Sequence, residues 1–420
     1  MLKKLMSSEF NRNVVKLMTG TTIAQAIPIA ISPILTRLYT PEDFGVLALF
    51  LSITAVLGSI ANGRYELAIV LPKKEEDAIN IVALSFLISS TFSILLLIII
   101  IFFKNYILNA LGSPELGFWI YFVPLVVLFT GLFNALNQLN IRLKSFGLLA
   151  RVKVIKSLTL VATQLVLGFF KAGEAGLISG QLVSNIFTNL TLAKTTLKNR
   201  TLIKSIKINK IKEIGLRYKR FPLITMWGTL LNVLTVQITN IVIAFLYNTV
   251  TLGHYSLVHR SISLPTSIIG QAIGDVYFQK ASRDLEKYGK AKNVYNSTFK
   301  KLLLIAIPVF VGLYIVAEDL IAFVFSEEWR IAGIYTKYLI PLFFIRFIAS
   351  PLSLTNLVFQ KQKIDFFWQI GLFILSILVF LISYILNLEV LTFFKVYTWV
   401  LFIHYLLLLI ITRKVSQGKL

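Results

Sequence analysis

The chain has 420 residues, of which 56% are hydrophobic and only 15% are charged. Ordinary soluble domains carry about a quarter charged residues, so a soluble globular fold is excluded. The formal net charge of +23 raises nucleic acid as a partner, but the placement of the basic residues, set out below, argues against it. There is no cysteine, which excludes disulfides, thiolate chemistry and cysteine metal sites.

The apolar residues come in long blocks. Residues 81–103, 221–245 and 366–386 hold no charge, and a bilayer's hydrocarbon core demands about 20 such residues. Only helices or closed barrels satisfy the backbone there, and these runs are too long for barrel strands. Spans are expected near 14–36, 44–62, 80–103, 118–138, 154–170, 175–193, 221–245, 252–275, 302–322, 333–357, 366–386 and 390–411. The fold class is therefore all-α: a polytopic membrane protein of twelve helices, with both termini on one side.

The first span holds Pro28 and Pro33, a hinge candidate beside Gly20 and Gln25. Its Ala24-Gln25-Ala26 resembles a signal cleavage site, but Lys16, Thr19, Gly20, Thr21 and Thr22 interrupt the apolar core that a signal needs, so an uncleaved helix is expected. Thr40-Pro41-Glu42-Asp43 then fits a helix start, with Thr40 as N-cap, Pro41 first and Asp43 reaching back. The fourth span carries Asn134, Asn137 and Gln138, and the sixth Gln181, Asn185 and Asn189. Hydrogen bonding between helices accounts for both sets.

Residues 194–220 carry ten basic side chains among Leu202, Ile203, Ile206, Ile211 and Ile214. That pattern fits a helix on an anionic leaflet and equally a solvated linker. The segment divides the chain near its centre, giving lobes at 1–200 and 221–420 about a linker at 201–220. A faint repeat supports two halves: Leu38-Tyr39, Gly45 and Leu49 recur 208 residues later as Leu246-Tyr247, Gly253 and Leu257. Parallel repeats with substrate between them are a known transporter plan. Under twelve spans, 34 of the 42 basic residues fall on one side. This is the positive-inside bias, and it places both termini in the cytoplasm.

The eighth span is the most informative. Ser256, Arg260, Ser263, Ser267 and Gln271 fall at spacings of 4, 3, 4 and 4, so they share one helical face. Arg260 lies roughly 13 Å deep at 1.5 Å per residue, and an arginine there costs at least ~2.5–3.5 kcal/mol on insertion scales. Arg346 in the tenth span is comparably deep and is as readily a packing residue as a ligand. Lys395 in the twelfth span sits where it can snorkel, and His404 fits a hydrogen bond inside the bundle. Glu66, Asp275, Glu318 and Asp319 all fall near span ends, so no proton or sodium site stands out. There is no G-x-x-x-x-G-K-[ST] loop for ATP, no cofactor motif, and no external loop large enough for a catalytic domain. A deep cationic face implies an anionic cargo, since arginine's planar fork pairs with phosphate. Transport, not enzymatic catalysis, is the expected activity.

ILTRLYTPEDFGVLALFLSI (Ile34–Ile53) and RYELAIVLPKKEEDA (Arg64–Ala78), with a looser match at LGHYSLVHRSISLP (Leu252–Pro265), resemble Wzx-type oligosaccharide flippases. These belong to the multidrug/oligosaccharidyl-lipid/polysaccharide exporter superfamily, and the resemblance covers essentially the whole chain. It implies two six-helix lobes around a cationic cavity. It also implies alternating access that carries an undecaprenyl-diphosphate-linked repeat unit to the periplasmic leaflet of the bacterial inner membrane, for O-antigen or capsule assembly. A polysaccharide polymerase and a chain-length regulator are the expected protein partners, alongside membrane lipids. Such flippases place arginines in helices 1, 2 and 8; here Arg260 answers for helix 8, Arg64 for the inner end of helix 2 and Arg37 for the outer end of helix 1, the last two nearer the edges than mid-cavity. The expected substrate contacts are thus Arg260, Arg346, Arg64 and Arg37, with Ser256, Ser263, Ser267 and Gln271. A multidrug cation exporter, which wants a buried carboxylate, and a membrane glycosyltransferase or polymerase, which wants external ones, are the alternatives.

Overall fold

The structure, a computed structural model, describes residues 9–197 and 200–419. Among the described residues there is no strand. The chain forms two compact units, Met1–Leu252 and Gly253–Leu420. The first holds α1 (Glu9–Leu38), α2 (Pro41–Gly58), α3 (Glu75–Ala110), α4 (Val123–Arg142), α5 (Phe146–Phe169), α6 (Glu174–Leu197), α7 (Ile208–Arg217) and α8 (Met226–Leu246). Helix α9 (Thr249–Tyr288) crosses into the second unit. There it is followed by α10 (Lys292–Phe325), α11 (Arg330–Val358), α12 (Gln362–Ile385) and α13 (Val390–Ser416).

Among the described residues, 10 helical segments are long and apolar enough to cross a membrane. Helices α6 and α9 also occupy expected spans but are not among the ten. These two carry the amide stripe Gln181, Asn185, Asn189 and the polar stripe around Arg260. Their low apolarity is thus the direct consequence of the residues that single them out. Helix α9 has 40 residues, about 60 Å at 1.5 Å per residue, so it runs well beyond a hydrocarbon core of ~30 Å.

The expected start of α2 is present in full. Thr40 accepts a hydrogen bond from the Asp43 backbone N–H at 3.2 Å, and the Thr40 backbone N–H donates to the Asp43 carboxylate at 2.8 Å. Two orphan donors at the helix start are satisfied at once. Helix α1 continues unbroken through Pro28 and Pro33. A proline withdraws the hydrogen bond from the carbonyl four residues back, here Ala24 and Ile29. Both carbonyls find hydroxyls: Ser157 of α5 donates to Ala24 at 2.6 Å, and Ser32 donates to Ile29 at 2.7 Å. Small residues bring the helices close. A Cβ on Gly45 would lie 1.8 Å from the Thr249 carbonyl oxygen, so that approach of α2 to the start of α9 requires glycine.

Of the amide stripe of α6, Asn189 bonds between helices, donating to the Phe129 carbonyl of α4 at 3.1 Å. The basic segment turns its apolar face inward. Ile211 and Ile214 of α7 are buried, and Ile214 joins the core formed by Tyr65, Ile69, Ala78, Ile81 and Val82. Lys210 pairs with Asp77 at 2.9 Å and with Glu76 at 3.3 Å. Asn80 clasps the approach to α7, donating to the Ser205 carbonyl and accepting from the Lys207 backbone N–H, each at 2.9 Å. Ile208 and Leu216 remain exposed, so only this outer edge is left for lipid. By packing, α8 goes with the first unit, against α2.

Candidate functional site: a polar cavity between α9 and α11

In the second unit, α9 and α11 enclose a cavity of about 480 Å³. The helices approach closely at Gly274 of α9, where a Cβ would sit 3.1 Å from the Leu354 side chain. Farther along, Tyr277 and Thr355 share a buried hydroxyl–hydroxyl hydrogen bond of 2.5 Å. From α9 the cavity receives Ser263, Thr266, Ser267, Gln271 and Asp275; from α11 it receives Phe343, Arg346, Phe347 and Ser350. Helical periodicity explains both sets, each recurring every three or four residues.

Arg346 supplies the positive charge of this cavity. Its guanidinium lies over the Tyr405 ring, 5.8 Å from the centroid, a contact that steadies a desolvated cation. Tyr255 and Tyr397 add to the aromatic surround, Tyr255 stacking on Phe394 at 5.7 Å. His259 is within electrostatic range of both Arg346 and Arg260. The Ser263 Oγ is buried without a hydrogen-bond partner. A hydroxyl, an amide and a guanidinium thus converge beside aromatic faces, a set able to bind an anion that carries polar groups.

Four of the eight expected contacts meet here: Ser263, Ser267, Gln271 and Arg346. Ser256 and Arg260, on the same face of α9, do not line the cavity; the Ser256 hydroxyl donates to the Gly253 carbonyl at 2.9 Å. Arg37 and Arg64 belong to the first unit. Arg37 is exposed and donates to the Pro33 carbonyl at the end of its own helix. Arg64 pairs with the buried Glu66 at 3.1 Å. Burial raises the Glu66 carboxyl above its ordinary value, with Arg64 pulling the other way.

Two of the other acids near span ends are engaged in ion pairs. Glu318 pairs with Lys337 at 2.7 Å and Asp319 with Arg330 at 2.8 Å. His404 exchanges bonds with Trp368, ring nitrogen to carbonyl at 3.0 Å and indole to carbonyl at 3.3 Å, with the rings stacked. Among the described residues no group of acids or histidines could hold a metal. Thr266 and Ser350 are not marked by the sequence, and Asp275 stands out there only as an acid near a span end, yet all three line the cavity. Thr266 and Asp275 follow Ser263 and Gln271 at helical spacing, which was the signal available.

Residues 34–332 match the family described as polysaccharide biosynthesis protein. The chain belongs to that family. Its curated relatives are distant. Over 332 residues it is 20% identical to an uncharacterized membrane protein in the cps region of Klebsiella pneumoniae, covering 79% of this chain and 67% of that protein. It is 23% identical to the succinoglycan biosynthesis transport protein ExoT of Rhizobium meliloti, covering 71% and 59%. It is 21% identical to the lipopolysaccharide biosynthesis protein WzxC of Escherichia coli, covering 84% and 70%. Two solved folds are similar. The lipid II flippase MurJ in an inward closed conformation superposes with a TM-score of 0.70 at 17% identity, covering 96% of this chain and 90% of that one. An inward-facing multidrug resistance MATE transporter gives 0.64 at 16% identity, covering 97% and 98%. The fold is that of a multi-pass membrane transporter.

Proposed function

We propose that this member of the polysaccharide biosynthesis family is a flippase for lipid-linked oligosaccharide, working by alternating access. The cavity around Arg346 carries the reading: a membrane-buried guanidinium beside hydroxyl, amide and aromatic side chains suits a sugar joined to a diphosphate. Arg346 holds the diphosphate through paired, charge-assisted hydrogen bonds. Ser263, Ser267 and Gln271 bind sugar hydroxyls, and Arg260 adds positive potential through its proximity to His259. Arg37 and Arg64 lie in the first unit, and Arg64 is engaged by Glu66. The names of ExoT, WzxC and MurJ, a transport protein, a lipopolysaccharide biosynthesis protein and a lipid II flippase, support a cargo of this class.

The chain would sit in the bacterial inner membrane with both termini cytoplasmic, on the strength of the positive-inside bias. Its halves, 1–200 and 221–420, would act as the two lobes, and the polymerase and chain-length regulator would receive the product. No step of catalysis is required. The test is export of surface polysaccharide in a deletion strain complemented with Arg346→Ala or Asp275→Asn. Arg346→Ala at normal protein level should abolish export, and Asp275→Asn should preserve it. Asp275 also lines the cavity, as a cation exporter would want. Loss of drug resistance in Asp275→Asn together with normal export in Arg346→Ala would replace the flippase with that exporter.

A further inference from the structure

Helix α11 has a second lined face. At about 100° per residue, Phe343, Arg346, Phe347 and Ser350 point to one side, and Phe344, Ile345 and Ile348 point well away from it. The second set borders a separate hollow of about 770 Å³ between α10, α11 and α13. Its chemistry is strongly graded. Lys300, Arg413 and Asn296 stand at one end, and the remainder is apolar, with Phe299, Leu303 and Leu406 on its walls. No carboxylate lines it.

The polar end is fixed firmly. The Tyr295 hydroxyl donates to the Leu409 carbonyl at 3.0 Å and meets the Thr412 hydroxyl at 3.0 Å. The Ala291 backbone N–H donates to the Ser416 carbonyl at 2.9 Å. The start of α10 is thus bound to the end of α13, and Lys300 and Arg413 are held at one rim. Both cations are exposed, and neither enters an ion pair among the described residues. From Arg413 to Phe402 is about 16 Å along the helix axis, close to half of a ~30 Å hydrocarbon core. The slot therefore has a cationic rim and an apolar body one leaflet deep.

We infer that this slot is a binding site for an anionic phospholipid of the bilayer. The phosphodiester sits between Lys300 and Arg413, and one acyl chain lies along Phe299, Leu303 and Leu406. Charge complementarity decides the occupant. A zwitterionic lipid brings an ammonium to a rim with no carboxylate, whereas a net-negative headgroup meets two cations. Basic pockets between membrane helices at the cytoplasmic side hold acidic headgroups for this reason, and this is the end assigned above to the cytoplasm. The site is separate from the cavity around Arg346, so its failure would leave the flippase reading intact.

The full chain is reconstituted in vesicles of equimolar phosphatidylglycerol and phosphatidylcholine, extracted, and examined for retained lipid by native mass spectrometry. Wild type should retain phosphatidylglycerol over phosphatidylcholine by roughly tenfold or more, given about one kcal/mol for each surface cation. The pair Lys300→Gln, Arg413→Gln should erase that preference. Leu406→Trp, which keeps both charges and fills the slot, should lower retention of the lipid itself. The pair Lys361→Gln, Lys363→Gln removes the same charge elsewhere and should change nothing. Thermal unfolding of each variant identifies a misfolded one, and Leu406→Trp tests the slot where the charge variant does not fold. Equal retention of the two lipids by wild type overturns the inference. So does equal loss in the Lys361/Lys363 pair, preferential retention of an added polyprenyl diphosphate, or displacement of the lipid by inorganic phosphate.

Discussion

Arg346 and Glu66 contrast a charge that lines a cavity with one spent on packing. Arg346 is half-buried, lines the cavity and rests on the Tyr405 ring, and the proposed flippase uses its charge on cargo. Arg346→Lys keeps the charge but loses the planar fork. It should transport at an intermediate rate, between wild type and Arg346→Ala, with a raised apparent KM in a flipping assay. Glu66, by contrast, is 3% exposed and spends its charge on Arg64. Its carboxyl is raised by burial, so the folded protein holds that proton more tightly than the unfolded chain. The associated stability is fully present below the ordinary carboxylate value, ~4.3, and is lost as pH rises through the raised folded value. Glu66→Gln should flatten this part of the pH dependence of Tm above pH ~4.3. An unchanged slope in the variant would show that Glu66 does not cause it.

Helix starts and faces were readable at the scale of elements, and neighbours were not. Thr40, Pro41 and Asp43 announce the start of α2 because a cap is a local matter, complete within four residues. The serines and glutamine of α9 were found because helical spacing assigns a face. The same spacing puts Ser256 and Arg260 on that face as well, whereas the cavity is lined only from Ser263 onward. The docking of α7 was open in the sequence because its partners, Asp77 and Asn80, are more than a hundred residues away. Asn80→Ala removes both of its bonds to the segment before α7. Trypsin should then cut the 200–220 region faster, as followed by gel over time, while the rest of the fold persists. The acceptor role of Ala24 was equally hidden. Ser157→Ala strands that carbonyl beside Pro28, and should cost about 1 kcal/mol in unfolding measurements.

For the whole molecule, composition sufficed for an all-α membrane fold, and the family match and the two transporter folds agree with it. Sidedness rests on the basic residues. Because the chain has no cysteine, it can be mapped with single introduced thiols. Lys361→Cys should be reached by an impermeant maleimide only from the cytoplasm, and Lys171→Cys only from the periplasm; labelling of both from one side would refute the proposed topology. The helices least apolar in composition, α6 and α9, are the ones that carry polar work. Helix α6 bonds to α4 through Asn189, and α9 lines the cavity. A transporter for a sugar-bearing anion must keep such groups in the membrane at a cost, because the cargo cannot be bound without them.

The most direct test is flipping of a fluorescent undecaprenyl-diphosphate oligosaccharide by purified protein in liposomes, read as the fraction that becomes accessible to an external quencher. Wild type should equilibrate the lipid far faster than empty liposomes, and Arg346→Ala, folded and equally reconstituted, should be at least ~10-fold slower, as loss of a charge-assisted bond of ~1.5–3 kcal/mol requires. A wild-type rate equal to that of empty liposomes, or an undiminished rate in Arg346→Ala, would contradict a flippase built around this cavity.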